Sequence, residues 1–247
     1  MRRRLLAGPL TLGETLTVAR AIFSGLRDMH ARRIYHRGVR PTNVVVDDGA
    51  LLTNATLIDF GPVHAIDVEA SPSARSLEMA LYLSPEQAGS IDQDYDESSD
   101  LFSAGITLYH CLAGRPPISG DSVGEILFAQ MTVQVPELRR LGIAVPRVVD
   151  ELVQRLLRKD PRDRYQSATA VLVDLEAIME AMGQGLEDPA LVIGSSDRRG
   201  SLTEPAFVAR REELKQLDQQ LELARQGQGG LVRLEGESGG GKTRLLV

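Results

Sequence analysis

Between Ile34 and Gly61 two short apolar runs, Val44 to Val46 and Leu57 to Ile58, flank the turn signal Asp47-Asp48-Gly49. Short β-branched runs on either side of an Asp/Gly turn predict a β-hairpin. Asn43 stands just before the first run and Asp59 just after the second, so the hairpin brings an amide and a carboxylate together at its open end. Two oxygen donors placed there suit magnesium carrying a phosphate, because magnesium takes one or two protein oxygens and completes its shell with water and phosphate.

Helical patterns surround this hairpin. Thr11-Leu12-Gly13-Glu14 is a capping box, after which Val18, Ile22, Leu26 and Met29 recur at helical spacing up to Arg33. Further on, Asp100 fits a helix N-terminus, where a carboxylate complements unpaired N–H groups, and Leu101 to Leu112 reads as a buried helix stopped by Gly114-Arg115-Pro116-Pro117. Two later helical faces carry Val149, Leu152, Val153, Leu156 and Leu157, and then Val171, Leu175, Ile178 and Met182. Gly183 to Pro205 has no helical or strand period and is rich in glycine, serine and charge, which predicts a linker.

The residues His36, Arg37, Asn43, Asp59, Phe60 and Gly61 fall on two motifs, H-R-D-L-x-x-x-N and D-F-G, so the stretch resembles the catalytic and metal loops of a protein kinase. Gly38 departs from the pattern. It stands where that family carries the aspartate that accepts the proton of the substrate hydroxyl. Arg40 stands where many serine/threonine kinases have a lysine, which keeps the charge but not its compact geometry. The resemblance implies catalytic-loop roles for His36, Arg37, Gly38, Arg40, Asn43 and Asp59, with Asn43 and Asp59 as magnesium ligands and ATP as the phosphoryl donor.

The same resemblance orders the rest. Pro62 to Leu83 corresponds to an activation segment leading to Ser84-Pro85-Glu86, with Glu78-Met79 where such kinases usually have Gly-Thr. The family aspartate matching Asp100 sits under the catalytic loop and hydrogen-bonds its backbone, and the arginine matching Arg164, in Lys159-Asp160-Pro161-Arg162-Asp163-Arg164-Tyr165, pairs with the glutamate matching Glu86. The helix from Thr11 corresponds to the one before the catalytic loop, so the residues ahead of it match the end of a short helix after the hinge. Neither a glycine-rich phosphate-covering loop nor its partner lysine precedes it, and the expectation is a C-lobe without its N-lobe.

Past the linker, Phe207 to Leu214 opens a helix and Leu231 to Leu234 a strand, which feeds Gly236-Glu237-Ser238-Gly239-Gly240-Gly241-Lys242-Thr243. This octet is a full match to the P-loop pattern G-x-x-x-x-G-K-S/T. Its glycines let backbone N–H groups approach phosphate oxygens, Lys242 adds a point charge, and the Thr243 hydroxyl reaches magnesium. Nucleotide-binding residues are therefore expected at Gly236, Gly239, Gly240, Gly241, Lys242 and Thr243, with Thr243 also on the metal. The segment around Arg210-Arg211-Glu212 resembles the entry to AAA-type ATPase domains, and the order of parts resembles large bacterial signalling proteins in which a serine/threonine kinase domain precedes such an ATPase.

The expected fold is thus mainly α: a kinase-like C-lobe with a small β-hairpin over residues 1–183, a linker over 184–205, and the opening helix, strand and P-loop of a truncated α/β NTPase over 206–247. A 43% hydrophobic content in 247 residues allows a sizeable core. The net charge of −6 argues against nucleic acid as the main partner. Cys111 has no second cysteine to pair with, which fits a reducing cytoplasm. The charged opening Met-Arg-Arg-Arg-Leu-Leu-Ala-Gly is broken by Gly8, Pro9 and Gly13, so no export signal is expected. No stretch is long and apolar enough to span a bilayer.

Three functions follow from these residues: a kinase-family signalling module, with protein partners or substrates, that has lost phosphoryl transfer; a fragment of an active serine/threonine kinase in which another group supplies the base; and a regulatory domain controlling a P-loop ATPase. Loss of transfer is the first expectation, because Gly38 removes the proton acceptor and no N-lobe phosphate clamp is present.

Overall fold

The computed structural model describes residues 1–61, 74–88 and 95–197. The expected helix, strand and P-loop of residues 206–247, and Ser71, Pro72 and Ser73 of the segment before Ser84, lie outside the described residues.

A short helix, α1 (Arg2–Ala7), leads into α2 (Leu12–His30). The capping box is made: Thr11 accepts from the Glu14 N–H, and Glu14 Oε2 accepts from the Thr11 N–H at 3.0 Å. Val18, Ile22, Phe23 and Leu26 are buried on one face. The helix packs on the strand β2 (Ala55–Leu57), which pairs antiparallel with β1 (Val44–Val46), Val44 opposite Leu57. β2 ends one residue earlier than the sequence suggests, but the Ile58 N–H still reaches the Asn43 carbonyl at 2.9 Å. The connection is also wider than a tight Asp-Gly turn. The Asp47 carboxylate accepts from the Thr53 N–H (3.1 Å) and the Asn54 N–H (3.2 Å), closing residues 47–54 as a loop.

Next come α3 (Ala74–Ala80) and α4 (Glu97–Ala113). The helix α3 lies in the later part of the segment Pro62 to Leu83: Leu77, Ala80 and Leu81 form a small cluster with Val123 and Ile126, and burial of that face stabilises it. The cap of α4 is Asp96, which accepts from the Ser98 N–H at 2.8 Å, and its first helical residue is Glu97. Asp100 stands in the first turn, at the helix N-terminus as expected, and its carboxylate accepts from the His36 and Arg37 N–H groups. α4 is the central buried helix, with Leu101, Phe102 and Ile106 fully enclosed and Gly114 ending it in the left-handed conformation.

The helix α5 (Val123–Thr132) has no counterpart in the sequence reading, although Ser122 caps it through the Glu125 N–H at 3.2 Å. The last two, α6 (Arg147–Leu156) and α7 (Ala168–Gly183), bury the expected apolar faces, and α7 packs on α2. Cys111 is buried and free. Among the described residues no helix is long and apolar enough to cross a membrane.

The described part of the segment read as linker, residues 184–197, belongs to the same compact unit as the helices before it. Residues 184–197 form a strap seated on the lobe. Asp188 accepts from the Arg147 N–H at 2.6 Å, and Asp197 pairs with Arg155 at 2.8 Å while accepting from the Gln166 N–H at 3.0 Å. Leu191 and Ile193 pack against the main core. Gly194 is required where it stands, since its φ is +78° and a Cβ there would lie 1.9 Å from the Arg155 guanidinium. Charges in this stretch serve as hydrogen-bond acceptors and pair partners for α6 and the residues after it. Limited proteolysis is expected to spare 184–197 in the parent chain, whereas Arg155→Ala, which frees Asp197, should open a cut within it. Cleavage of the parent inside 184–197 as fast as in the variant would show that the strap is not held this way.

Candidate functional site

The site is built on the loop between α2 and β1 and on the residues that follow β2. Its floor is a single carboxylate. Asp100 is fully buried, and its Oδ2 accepts from the His36 N–H at 2.8 Å while its Oδ1 accepts from the Arg37 N–H at 2.8 Å. This is the backbone support that the kinase resemblance implies. His30 Nε2 lies 3.0 Å from Oδ2, and the Tyr95 hydroxyl donates to Oδ1. Four donors thus surround a carboxylate that has no access to water, which is what such a group requires.

Above this floor the loop is tied down at several points. His36 Nε2 donates to the Ile58 carbonyl at 3.0 Å, which makes Nδ1 the lone-pair nitrogen of a neutral ring. Burial pulls the His36 pKa below its ordinary value, against the opposing pull of Asp100. Arg37 takes a positive φ, 61°, uncommon for a residue with a side chain, and its guanidinium lies 5.3 Å from the Tyr95 ring centre. Val39 is fully buried under α4, where Thr107 Oγ1 reaches its carbonyl at 3.5 Å. Arg40 is half-buried, with its Nε enclosed and unpartnered among the described residues.

Asn43 Nδ2 donates to the Gly38 carbonyl at 2.9 Å. That bond orients the amide and leaves Oδ1 as its free end, with only a long contact from the Thr42 hydroxyl at 3.5 Å. Across the hairpin, Asp59 sits one residue beyond Ile58, whose N–H bonds to Asn43, and its carboxylate is exposed. It also has a positive φ, 58°, a conformation that aspartate tolerates better than most residues. An amide oxygen and a carboxylate with no close partner among the described residues, on neighbouring ends of the two strands, fit a magnesium ion that takes its remaining ligands from phosphate and water. Phe60 is 64% exposed, and the Gly61 N–H bonds to the His36 carbonyl at 3.3 Å.

Gly38 stands where the kinase resemblance places a proton acceptor. Its backbone is not in the left-handed region, and a Cβ there would meet Asn43 Nδ2 at 3.4 Å and His36 Nδ1 at 3.9 Å. Both are ordinary van der Waals contacts. Neither conformation nor space demands glycine here, so the loop's shape would accommodate a side chain at this position.

The segment after α3 is anchored beneath the site. Arg164 donates through Nη1 and Nη2 to the Glu86 carboxylate at 2.6 and 2.9 Å, with both side chains buried. Its remaining donors reach the carbonyls of Arg158, Lys159 and Ser98, so all five N–H bonds are used. Glu86 also accepts from the Ser99 hydroxyl at 2.6 Å. Gln87 Nε2 reaches back to the Arg37 carbonyl at 3.5 Å, joining this anchor to the loop.

The structure therefore gathers His36, Arg37, Gly38, Arg40, Asn43 and Asp59 into one loop system. The P-loop residues Gly236, Gly239, Gly240, Gly241, Lys242 and Thr243 lie outside the described residues. His30 and Tyr95 are additions. His30 continues the Val18, Ile22, Leu26 spacing of α2, so a polar residue on an apolar stripe was its signal; Tyr95 had none.

Residues 3–174 match the family model described as protein kinase domain. Among curated proteins, the chain is 35% identical over 176 residues to the serine/threonine-protein kinase PknL of Mycobacterium tuberculosis, covering 71% of this chain and 43% of that protein. It is 31% identical to the serine/threonine-protein kinase PrkC of Bacillus subtilis, covering 70% of this chain and 26% of that one. The chain thus spans less than half the length of these relatives. Among solved structures, the kinase domain of Mycobacterium tuberculosis PknI is similar with a TM-score of 0.51 and 26% identity, over 73% of this chain and 60% of that one. A structure of Rad53 in complex with AMP-PNP shares the fold at a TM-score of 0.55 and 20% identity, over 69% of this chain and 42% of that one.

Proposed function

Because the chain belongs to the protein kinase domain family, with serine/threonine kinase relatives, we propose that it is a serine/threonine kinase-family signalling module that acts through protein partners and has lost phosphoryl transfer in this polypeptide. Gly38 carries the reading. The loop around it keeps the support of Asp100, the Asn43 amide and the Asp59 carboxylate, yet the group that would take the hydroxyl proton is absent. ATP and magnesium are the family's usual co-reactants, and Asn43 with Asp59 would hold the metal. The place of action is the cytoplasm, a proposal that rests on the lone, buried Cys111.

Supplied with radiolabelled ATP, magnesium and a generic serine/threonine substrate, the purified chain is expected to incorporate no phosphate into itself or the substrate. Metal-dependent incorporation that vanishes in Asp59→Ala would overturn the proposal and favour the active-kinase reading.

A second reading rests on the sequence octet Gly236 to Thr243, with the kinase-like lobe regulating an AAA-type P-loop ATPase. Its test is titration of a fluorescent ATP analogue into the chain and into a version extended through further strands. Only the extended form is expected to bind, and Lys242→Ala should abolish that binding, because a P-loop presents its N–H donors only when its strand is seated in a sheet. An extended form that does not bind removes this reading and leaves the lobe as the seat of function.

A further inference from the structure

We infer that Tyr95 is a positioning residue of the catalytic loop, holding the Arg37 backbone with its hydroxyl and the Arg37 guanidinium with its ring. The inference rests on reading residues 36–43 as that loop, and it goes beyond the support that Asp100 alone supplies.

Each oxygen of Asp100 serves two donors. Oδ2 takes the His36 N–H and His30 Nε2; Oδ1 takes the Arg37 N–H and the Tyr95 hydroxyl. His30 and Tyr95 are therefore the two side chains that set the plane of the carboxylate so that both oxygens face the loop amides. Tyr35 lies between them, with its ring edge-on to His30 at 5.9 Å and to Tyr95 at 5.7 Å between ring centres.

The Tyr95 oxygen does more than donate. It lies 3.1 Å from the Arg37 nitrogen, so the Arg37 N–H is shared between the Tyr95 hydroxyl and Asp100. That amide belongs to a residue with a positive φ of 61°, a conformation that persists only where its surroundings fix it. On the outer side the Arg37 guanidinium rests 5.3 Å from the Tyr95 ring centre, and Arg37 has no ion pair among the described residues. One side chain thus grips a strained residue at both its backbone and its charged end. Burial first, and then the adjacent Asp100 charge, push the Tyr95 pKa upward, so the hydroxyl keeps the proton that it donates.

The test is amide hydrogen exchange and side-chain NMR on the full chain, with no nucleotide or substrate present. Tyr95→Phe keeps the ring and removes the hydroxyl, and it should speed exchange of the Arg37 amide about tenfold or more while α7 amides are unchanged. Tyr95→Leu should in addition abolish the upfield ring-current shift of the Arg37 side-chain protons, which Tyr95→Phe retains. A merely structural tyrosine would move the α7 amides along with Arg37 and would leave no such split between the two variants. Arg37 exchange in Tyr95→Phe within twofold of the parent overturns the inference, as does an unchanged ring-current shift in Tyr95→Leu. Should Tyr95→Leu not fold, the Tyr95→Phe result decides. Since the readout needs no phosphoryl transfer, its failure and the failure of the proposed function are separate results.

Discussion

Glu86→Ala is expected to destabilise the lobe by about 3–5 kcal/mol, the cost of leaving one member of a buried ion pair without its partner. At about 2–4 °C per kcal/mol for a domain of this size, the thermal midpoint should fall by roughly 6–20 °C. Arg164→Ala should be the worse of the two. It strands the Glu86 carboxylate, and it also removes donors from the carbonyls of Arg158, Lys159 and Ser98. Glu86→Ala leaves those three bonds in place. Replacing both residues by apolar side chains of similar size should recover part of the loss, because no buried charge then remains. The pair also sets an acid limit. Burial pushes the Glu86 carboxyl up, but the hydrogen bonds and charge of Arg164 outweigh this and hold it below its ordinary value of 4.5. A depressed carboxylate contributes fully above its unfolded value and loses that contribution as pH falls through the folded one. Stability should therefore be insensitive to Glu86 near neutrality and decline below about pH 4.5, with a shallower decline in the apolar double variant. Calorimetry and acid titration read both effects. A Glu86→Ala midpoint within a degree or two of the parent would mean that the pair does not anchor this segment.

This ion pair was legible in the sequence for the same reason that the site was. Glu86, Asp100 and Arg164 sit inside short motifs whose order is recognisable, and each supplies the polar partner that a fixed turn or loop requires. The apolar faces of α2, α4, α6 and α7 were legible because burial of one helix face imposes a 3.6-residue period. What escaped has a different physics. α3 and α5 are short, and each is stabilised by the other through Leu77, Ala80, Val123 and Ile126, so neither shows a strong period of its own. The strap over residues 184–197 is held by isolated charges, Asp188 and Asp197, whose partners on α6 lie about forty positions away in sequence. Asp100 lies in the first turn of α4, as expected, but the cap itself is Asp96, which the sequence reading did not single out. Tyr95 follows an acidic stretch and precedes a cap, and only the fold brings its ring under Arg37.

Gly38→Asp carries the largest functional expectation, and the geometry says that it can be made cleanly. A Cβ at position 38 meets Asn43 Nδ2 and His36 Nδ1 at ordinary contact distances, and the backbone there is not one that excludes a side chain. The variant should melt close to the parent, which separates its effect from that of a folding defect. In the chain as given, it should still transfer no phosphate, because positioning and charge neutralisation at the transferred phosphate dominate this reaction and the sequence before the loop holds no glycine-rich clamp or partner lysine. Fused behind a kinase N-terminal lobe that supplies both, the Gly38→Asp chain should exceed the equally fused parent by about 10²- to 10⁴-fold, the usual contribution of a positioned proton acceptor. Asp59→Ala in that fusion should abolish transfer by removing the metal carboxylate. The informative contrast is between the two fusions. If the fused parent already transfers phosphate and Gly38→Asp does not increase its rate, some other group accepts the proton, and Gly38 is no longer the residue that silences this loop.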